Sequence, residues 1–287
     1  MNNQPKLNVN SKPLLTCLAA LLLASPIAWA DTIANWTFET SLPAGTPGAG
    51  VWMTNIAAEV GSGTAAGWHA GNATYSTPVG NGSAHAFSST AWATGDFYQF
   101  AVSTLGFQNV TVAYDQTGSA TGPRDFRFSF STDGVSFTPV GLSYIVLTNS
   151  ASANNEGSGK STSVWSSTSS QQSAYTVTFD LSATNSLANQ PVVYFRLTVA
   201  DGTAENGSSI GSGGTDRVDN FLVSGASAAP LLNIQMAGAN VMLTWSNAAF
   251  NLQSAPSAVG IYTNIPGAAS PYTEPNDSQQ KFYRLVD

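Results

Sequence analysis

The strongest constraint on this chain is an alternation of apolar and polar residues with a period of two. Residues 193–199 read VYFRLTV and residues 125–131 read DFRFSFS, and residues 109–114 and 175–181 follow the same pattern. Such runs place one strand face in a core and the other in water, as in antiparallel sheets. Gly-, Ser-, Asn- and Pro-rich segments between the runs favour turns. The pattern therefore predicts an all-β protein, built as a two-sheet sandwich of jelly-roll type.

The sharpest predicted turn lies at Asp133-Gly134. Apolar runs flank this pair, and an Asp-Gly pair in such a position is a strong hairpin signal. The surrounding segment, STDGVSF at residues 131–137, resembles the Asp-box hairpin, although its aromatic residue comes one position early. In that motif the aspartate caps the turn, so we expect a structural role for this segment.

Residues 1–30 have the pattern of a secretory signal peptide. A lysine-containing start precedes an apolar run from Leu14 to Leu23, and Ala-Trp-Ala at residues 28–30 provides a small-x-small cleavage site. The apolar run is shorter than the roughly 20 residues that a membrane span needs. We therefore expect cleavage after Ala30, a secreted or cell-surface location and no membrane span.

Removal of that segment would leave a mature chain without cysteine, because Cys17 is the only one. Disulfide bonds, thiol catalysis and cysteine-bound zinc are then excluded for the mature chain. Two lysines leave with the signal, so 7 basic and 16 acidic residues remain, a net charge of −9. Because phosphate binding depends on clustered lysine and arginine, the sequence argues against nucleic acid as a partner.

A domain boundary is predicted at residues 226–230, ASAAP, because small residues that end in proline make a short linker. Residues 31–225 hold the alternating runs and form the predicted jelly-roll sandwich. Residues 231–287 alternate separately, as in VMLTW at 241–245, and are predicted to form a small C-terminal β-domain. Its core would be marginal alone. We expect this small domain to serve attachment or display and not ligand recognition.

Several segments of the chain resemble a family of exported bacterial β-sandwich proteins, most of them uncharacterised. The resemblance spans roughly residues 31–225 and is carried by WTFET at 36–40, GNGSAHAF at 80–87, GDFYQF at 95–100, TGPRDFRFSFSTDGVSF at 121–137 and GGTDRVDNFLV at 213–223. It implies a jelly-roll domain of concanavalin or carbohydrate-binding type, and it implies no reaction. Residues 231–287 resemble a small β-module that ends many exported bacterial proteins.

Charge is concentrated at Asp216, Arg217 and Asp219 in a chain with only 9% charged residues. A period of two places Asp219 on the same face as Phe221. If that face is the core, the buried carboxylate needs a cation or several N–H donors. We therefore predict a structural latch in which Arg124, Arg217 or backbone N–H groups hold Asp219.

The alternative for the same stretch is a structural calcium site. Many exported jelly rolls hold calcium where the first and last strands meet, so Glu39 would join Asp216 and Asp219 as a ligand. Calcium takes roughly six to eight oxygen ligands, but the spacing here matches no EF-hand loop. Arg217 would also compete for the same carboxylates. The latch is the favoured interpretation, and no other cofactor is predicted.

Enzyme chemistry is not favoured by the sequence. His69 and His85 are the only histidines, and the metalloprotease motif HExxH does not occur. Asp216 and Asp219 would lie about 10 Å apart on opposite faces of a strand, which is a poor arrangement for glycoside hydrolysis. A partner carboxylate such as Glu39 or Glu59 is not identifiable from sequence. Glycoside hydrolysis is therefore the least favoured function.

Trp68 and Trp165 are the candidate ligand-binding residues. Trp68 lies in GTAAGWHAG and Trp165 in KSTSVWSSTSS, polar or flexible settings in which a large apolar ring needs an explanation. The C–H faces of pyranose rings stack on exposed aromatic rings. The sequence therefore predicts a non-catalytic, glycan-binding or surface-associated protein with polysaccharide as its partner. The alternative is a structural component of the cell envelope or matrix.

Overall fold

The computed structural model describes residues 30–149, 164–228, 231–245, 250–276 and 280–286. The predicted signal peptide lies outside the described residues except for Ala30. Within the described residues, no helix is long and apolar enough to cross a membrane.

The described residues between 30 and 227 form fifteen strands and two short 3-10 helices. The strands are β1 (Ala30–Trp36), β2 (Met53–Ala57), β3 (Val60–Gly61), β4 (Gly63–Trp68), β5 (Tyr75–Ser76), β6 (Phe87–Ser89), β7 (Phe97–Val102), β8 (Phe107–Gly118), β9 (Asp125–Ser131), β10 (Thr138–Pro139), β11 (Tyr144–Ile145), β12 (Leu147–Thr148), β13 (Thr176–Asp180), β14 (Val193–Val199) and β15 (Asp216–Ser227). The 3-10 helices are Ser173–Tyr175 and Asn185–Leu187.

These strands form the two sheets of a sandwich. The first sheet has the order β12-β8-β15-β1-β3, with β13 added to β8 and with β6, which carries β5, added to β15. The second sheet has the order β10-β9-β14-β7-β4-β2, with β11 added to β9. Nearly all neighbours are antiparallel, the pair β12–β8 being parallel. The predicted fold class, an all-β jelly-roll sandwich followed by a small β-domain, is confirmed.

The alternating runs of the sequence fill the space between the two sheets. In β14 the odd-numbered residues from Val193 to Val199 are buried, and the residues between them are partly exposed. Aromatic rings meet across the core, where Phe100 of the second sheet stacks on Phe221 of the first with ring centroids 3.5 Å apart. Burial of these rings supplies the main stabilisation of a chain that has no cysteine after residue 17.

A bulge in β15 changes the face on which its side chains lie. The register of β15 against β8 shifts between Asp219 and Leu222, and Asn220 between them has a φ of 50°. Such a bulge leaves one extra residue on one strand and so reverses the side-chain alternation. Phe221 consequently enters the core, whereas Asp219 lies on the opposite, outer side of the sheet. The prediction that these two residues share a face is wrong for this reason.

The predicted hairpin forms at Asp133-Gly134. It joins β9 to β10, with Thr138 opposite Phe130. The Asp133 carboxylate accepts the backbone N–H groups of Val135 and Ser136, each at 2.8 Å, and Gly134 has a φ of 73° that favours glycine. These hydrogen bonds lower the pKa of Asp133 to about 2. The aspartate caps the turn, as the Asp-box resemblance implies.

The C-terminal residues form two further three-stranded sheets. Their orders are β16-β17-β20 and β19-β18-β21, built from β16 (Asn233–Ala237), β17 (Asn240–Thr244), β18 (Asn251–Ala255), β19 (Thr263–Asn264), β20 (Tyr272–Pro275) and β21 (Phe282–Val286). Leu243, Trp245 and Leu252 form the buried centre of this part, and no residue of the described sandwich core belongs to it. Strand pairing of β15 continues to Ser227, so the first two residues of the predicted linker 226–230 belong to the strand.

We predict that the sandwich folds without the C-terminal module. The Ala228 N–H donates to the Gly106 carbonyl at 2.7 Å, so a chain ending at Ala228 keeps the last backbone contact of β15. A protein of residues 31–228 is expected to show one cooperative thermal transition at the temperature at which the sandwich melts in the longer chain. Loss of that transition in the shortened protein would contradict independent folding.

Candidate functional site

The outer face of the second sheet is ordered by strand register into three rows of side chains. Residues directly opposite each other on neighbouring strands are close enough to interact. Going from β4 through β7 and β14 to β9, the rows are Trp68–Phe97–Thr198–Arg127, Ala66–Gln99–Arg196–Ser129 and Thr64–Ala101–Tyr194–Ser131. None of these positions carries an acidic side chain.

Aromatic rings cluster at one end of this face. Trp68 stacks on Phe97 with ring centroids 5.5 Å apart, and Trp52 meets Phe97 edge to face at 5.3 Å. Trp52 is 39% exposed and Trp68 is partly exposed, whereas Phe97 is buried beneath them. The Trp68 indole N–H donates to the Gly50 carbonyl at 3.2 Å, which fixes the ring. The structure thus presents two accessible indole rings on a fixed support.

Arg196 lies within the same cluster. Its guanidinium carbon is 4.0 Å from the ring centroid of Phe97 and 5.9 Å from that of Trp52. Its Nε–H donates to Gln99 Oε1 at 2.8 Å, so the neighbouring strand holds the head group in place. We call Trp52, Trp68, Phe97 and Arg196 the aromatic face.

The β9–β10 hairpin covers part of the aromatic face. Phe137, which follows the Asp133-Gly134 turn, places its ring centroid 3.7 Å from the Arg196 guanidinium. A Cβ atom on Gly134 would lie 3.2 Å from the ring of Tyr194, so the turn packs closely against that residue. The aromatic residue of this segment therefore contributes to the face as well as to the turn.

Only one of the two predicted sugar platforms lies on an accessible surface. Trp165 is 4% exposed and packs edge to face on Tyr175 at 5.3 Å, in a small cluster with Ala86. Its indole N–H donates to the Val79 carbonyl at 2.7 Å. The ring folds back onto the sandwich, and the prediction of Trp165 as a ligand-binding residue is wrong because no sugar ring can reach it. Trp68 stays a candidate.

Asp219 forms a latch, but without arginine. Its Oδ2 accepts the Asn81 N–H at 2.8 Å and the Ser83 hydroxyl at 2.7 Å, and its Oδ1 accepts the Asn220 N–H at 2.8 Å. Asp219 is fully buried and ties the loop before β6 to strand β15. The backbone-held form of the predicted latch is therefore what the structure contains.

The two arginines predicted for the latch lie elsewhere. Arg124 forms an ion pair with the next residue in the chain, Asp125, with 2.7 Å between Arg124 Nε and Asp125 Oδ2. The hydrogen bond that Arg217 makes is a long one, 3.5 Å from its Nη1 to the Val79 carbonyl. Their assignment to Asp219 is wrong, because the oxygens of this carboxylate accept from Asn81, Ser83 and Asn220 instead.

The three predicted calcium ligands are not brought together. Asp216 is buried between the sheets, where both carboxylate oxygens accept from Gln116 Nε2 at 3.1 and 3.2 Å, and burial raises its pKa well above the usual range. Asp219 lies on the other side of the same sheet. Glu39 Oε1 accepts the His85 N–H at 2.8 Å. Across the described ranges, no three acidic, histidine or cysteine side chains cluster as a metal site.

A second buried carboxylate, Asp115, lies beside Asp219 on the neighbouring strand. Asn220 Nδ2 bridges them, at 2.9 Å to Asp115 Oδ2 and 3.3 Å to Asp219 Oδ2. Burial is the main cause that raises the pKa of Asp219 to about 7, and the charge of Asp115 adds to it. Both residues are 0% exposed, so the pair is closed to substrate. The bulge that creates this pair has no sequence signature except Asn220.

Ser89, His69 and Asp96 also form a contact series that the sequence did not indicate. Ser89 Oγ lies 3.1 Å from His69 Nε2, and His69 Nδ1 lies 3.1 Å from Asp96 Oδ2. The order of groups is that of a serine hydrolase triad. However, Ser89 and Asp96 are 0% exposed and His69 is 2% exposed, and the Asp96 carboxylate accepts the N–H groups of Ala70 and Ala93. Because the Ser89 hydroxyl is buried, the series is a structural clamp that joins the end of β6 to the residues that follow β4 and precede β7.

Comparison with known proteins finds distant structural similarity. No protein-family model and no curated protein matches the chain. The K3 cleaved adhesin domain of Lys-gingipain from Porphyromonas gingivalis matches at 13% identity and a TM-score of 0.35, over 67% of this chain and 98% of that domain. The TmCBM61 module, solved with β-1,4-galactotriose, matches at 12% identity and a TM-score of 0.28, over 65% and 92%.

A third similar structure is the tandem CBM22 domain of Xyn10C from Paenibacillus barcinonensis, at 10% identity and a TM-score of 0.34, over 92% of this chain and 86% of that one. Carbohydrate-binding modules and adhesin domains are thus among the structures that this chain is similar to. Because the scores and identities are low, no function is taken from them.

We predict that Asp219 makes the stability of the sandwich fall as the pH rises from about 4 to 7. In this window the folded protein keeps the proton on Asp219, whose pKa is about 7, while the unfolded chain releases it near pH 4. In this window the Asp219→Asn variant is expected to have a shallower pH dependence of the free energy of unfolding, by up to about 1.4 kcal/mol per pH unit. Denaturant unfolding at several pH values measures this slope. Asp180→Asn serves as the control, because hydrogen bonds from Ser182 lower the pKa of Asp180 and its titration lies below the window. An unchanged pH slope in Asp219→Asn would disprove the assignment.

We also predict that alanine substitution of the two tryptophans lowers the free energy of unfolding by different amounts. Trp165→Ala removes a buried ring and is expected to lower the free energy of unfolding by about 3–5 kcal/mol. Trp68→Ala removes a partly exposed ring from the outer face, so its effect on the same free energy is expected to be clearly smaller. Equal destabilisation by the two variants would identify Trp68 as a core residue.

Proposed function

We propose that this protein is an exported, non-catalytic polysaccharide-binding protein that contacts sugar rings through the aromatic face. The observation that carries the proposal is the pair of accessible indoles, Trp52 and Trp68, fixed on Phe97 on the outer surface of the second sheet. Rigid indole rings offer large apolar surfaces at which the C–H faces of pyranoses can stack.

The polar groups beside these rings suit the same ligand. Gln99 and Arg196 lie in the adjoining row, and Thr198 lies between Phe97 and Arg127. Amide, hydroxyl and guanidinium groups hydrogen-bond sugar hydroxyls, while the rings supply the apolar contact. Stacking rings next to directional donors is the combination that a glycan site needs.

Two further features support the non-catalytic part of the proposal. The carboxylate pair Asp115–Asp219 and the series Ser89–His69–Asp96 are closed to solvent, as their exposures of 0–2% indicate. Export rests on the signal-peptide pattern of residues 1–30 alone.

The proposal predicts that Trp52→Ala and Trp68→Ala each weaken glycan binding. A glycan array with the mature protein would first identify a bound polysaccharide, and isothermal titration would then compare variants. Loss of one stacked ring is expected to weaken binding by about 1.5–3 kcal/mol, or about tenfold to a hundredfold, with little change in melting temperature.

Val60→Ala is the matched control, because Val60 is an apolar residue 50% exposed on β3 of the other sheet. It is expected to bind glycan like the unaltered protein. Once a bound polysaccharide has been identified, unchanged affinity for it in both tryptophan variants would show that the aromatic face is not the binding site.

A further inference from the structure

Arg196 is a cation without an acidic partner on the aromatic face. Its guanidinium contacts the rings of Phe97 and Phe137, at 4.0 and 3.7 Å from their centroids. None of the ion pairs among the described residues includes it, whereas Arg124 pairs with Asp125 at 2.7 Å. Among the residues that the structure describes, no acidic side chain therefore pairs with this charge.

The guanidinium also keeps two nitrogens available. Its Nε–H is taken by Gln99, but its Nη1 and Nη2 have no hydrogen-bond partner in the described parts of the chain, and neither nitrogen is fully buried. Burial lowers the pKa of Arg196 to about 10, so the group is still charged at neutral pH. A planar guanidinium with two free nitrogens matches the geometry of a carboxylate or a sulfate.

Arg127 adds a second positive charge to the same face. It is exposed, and it lies opposite Thr198 in the row that ends at Trp68. The three rows of this face contain two arginines and no acid, in a mature chain with a net charge of −9. Since the chain as a whole repels anions, these two charges concentrate attraction at one surface.

We propose that the polysaccharide bound by the aromatic face is anionic, with pyranose rings that carry carboxylate or sulfate groups. Arg196, assisted by Arg127, binds the anionic group while Trp52 and Trp68 contact the ring faces. This inference rests on the proposed function, because it names the class of glycan that the same site takes.

The test compares binding of the mature protein to polygalacturonate, to a sulfated galactan and to a neutral galactan, by isothermal titration at low and high salt. We expect at least one of the two anionic polymers to bind about tenfold or more tightly than the neutral one, and high salt to weaken that preference. Tighter binding of polygalacturonate would identify a carboxylate as the recognised group, and tighter binding of the sulfated galactan would identify a sulfate. Arg196→Gln is expected to remove the preference and to leave neutral binding within about threefold.

Arg284→Gln is the matched control. Arg284 lies in the C-terminal module, stacks at 4.4 Å on the ring of Tyr262 and donates from Nε to Gln253, the same local arrangement as Arg196. The Arg284→Gln variant loses one positive charge but leaves the aromatic face unchanged. We therefore expect it to keep the preference for anionic polymers. Equal loss in both variants would show a non-specific charge effect and overturn the inference.

Arg196→Lys guards against misfolding of the glutamine variant, because it retains the charge and the aliphatic stem. It is expected to keep the salt-dependent preference with weaker binding. If the neutral and the anionic polymers bind with equal affinity and Arg196→Gln changes neither affinity, this inference is overturned. The proposed function would then stay intact. Absence of binding to every polysaccharide on the array would overturn both.

Discussion

The pairing of β15 with its neighbours is the constraint on which the rest of the sandwich depends. This strand lies between β8 on one side and β6 and then β1 on the other, so the first sheet has no continuous hydrogen-bonded path without it. The bulge at Asn220 serves both faces of the sheet at once. It sends Phe221 against Phe100 in the core and leaves Asp219 outside, where the loop carrying Asn81 closes over it.

The two outer surfaces of the sandwich differ, because a loop packs over the first sheet at Asp219 and buries polar groups there. On the first sheet, residues 79–83 and the segment around Trp165 pack down, and the buried carboxylates there are satisfied by neighbouring donors. On the second sheet, strand register aligns Trp68, Phe97 and Arg196. The described segments that pack against these side chains are the β9–β10 hairpin and the segment with Gly50 and Trp52. Structural polar groups thus lie on one surface, and the accessible rings lie on the other.

The sequence predicts the strands well because alternation is a local property of each strand. It predicts an accessible position for Trp68, which is partly exposed, but it misplaces Trp165, since a loop that folds back over the sheet edge leaves no periodic signal. It also misplaces Asp219, because the single extra residue at the bulge reverses the alternation beyond it. Apart from Trp68, the residues of the aromatic face are not predicted from the sequence, since only the register of β7 against β14 brings Phe97 and Arg196 together.

The stability of the fold alone does not explain why an arginine occupies position 196. Burial lowers its pKa to about 10, which means that the surroundings disfavour its charge. An apolar side chain of similar length would fill the space against Phe97 and Phe137 without that penalty. Departures of this kind concentrate at functional sites, where local stability is given up for ligand contact. A charge held by two rings, oriented by Gln99 and left without an acidic partner is such a departure, and an anionic ligand is what would complete it.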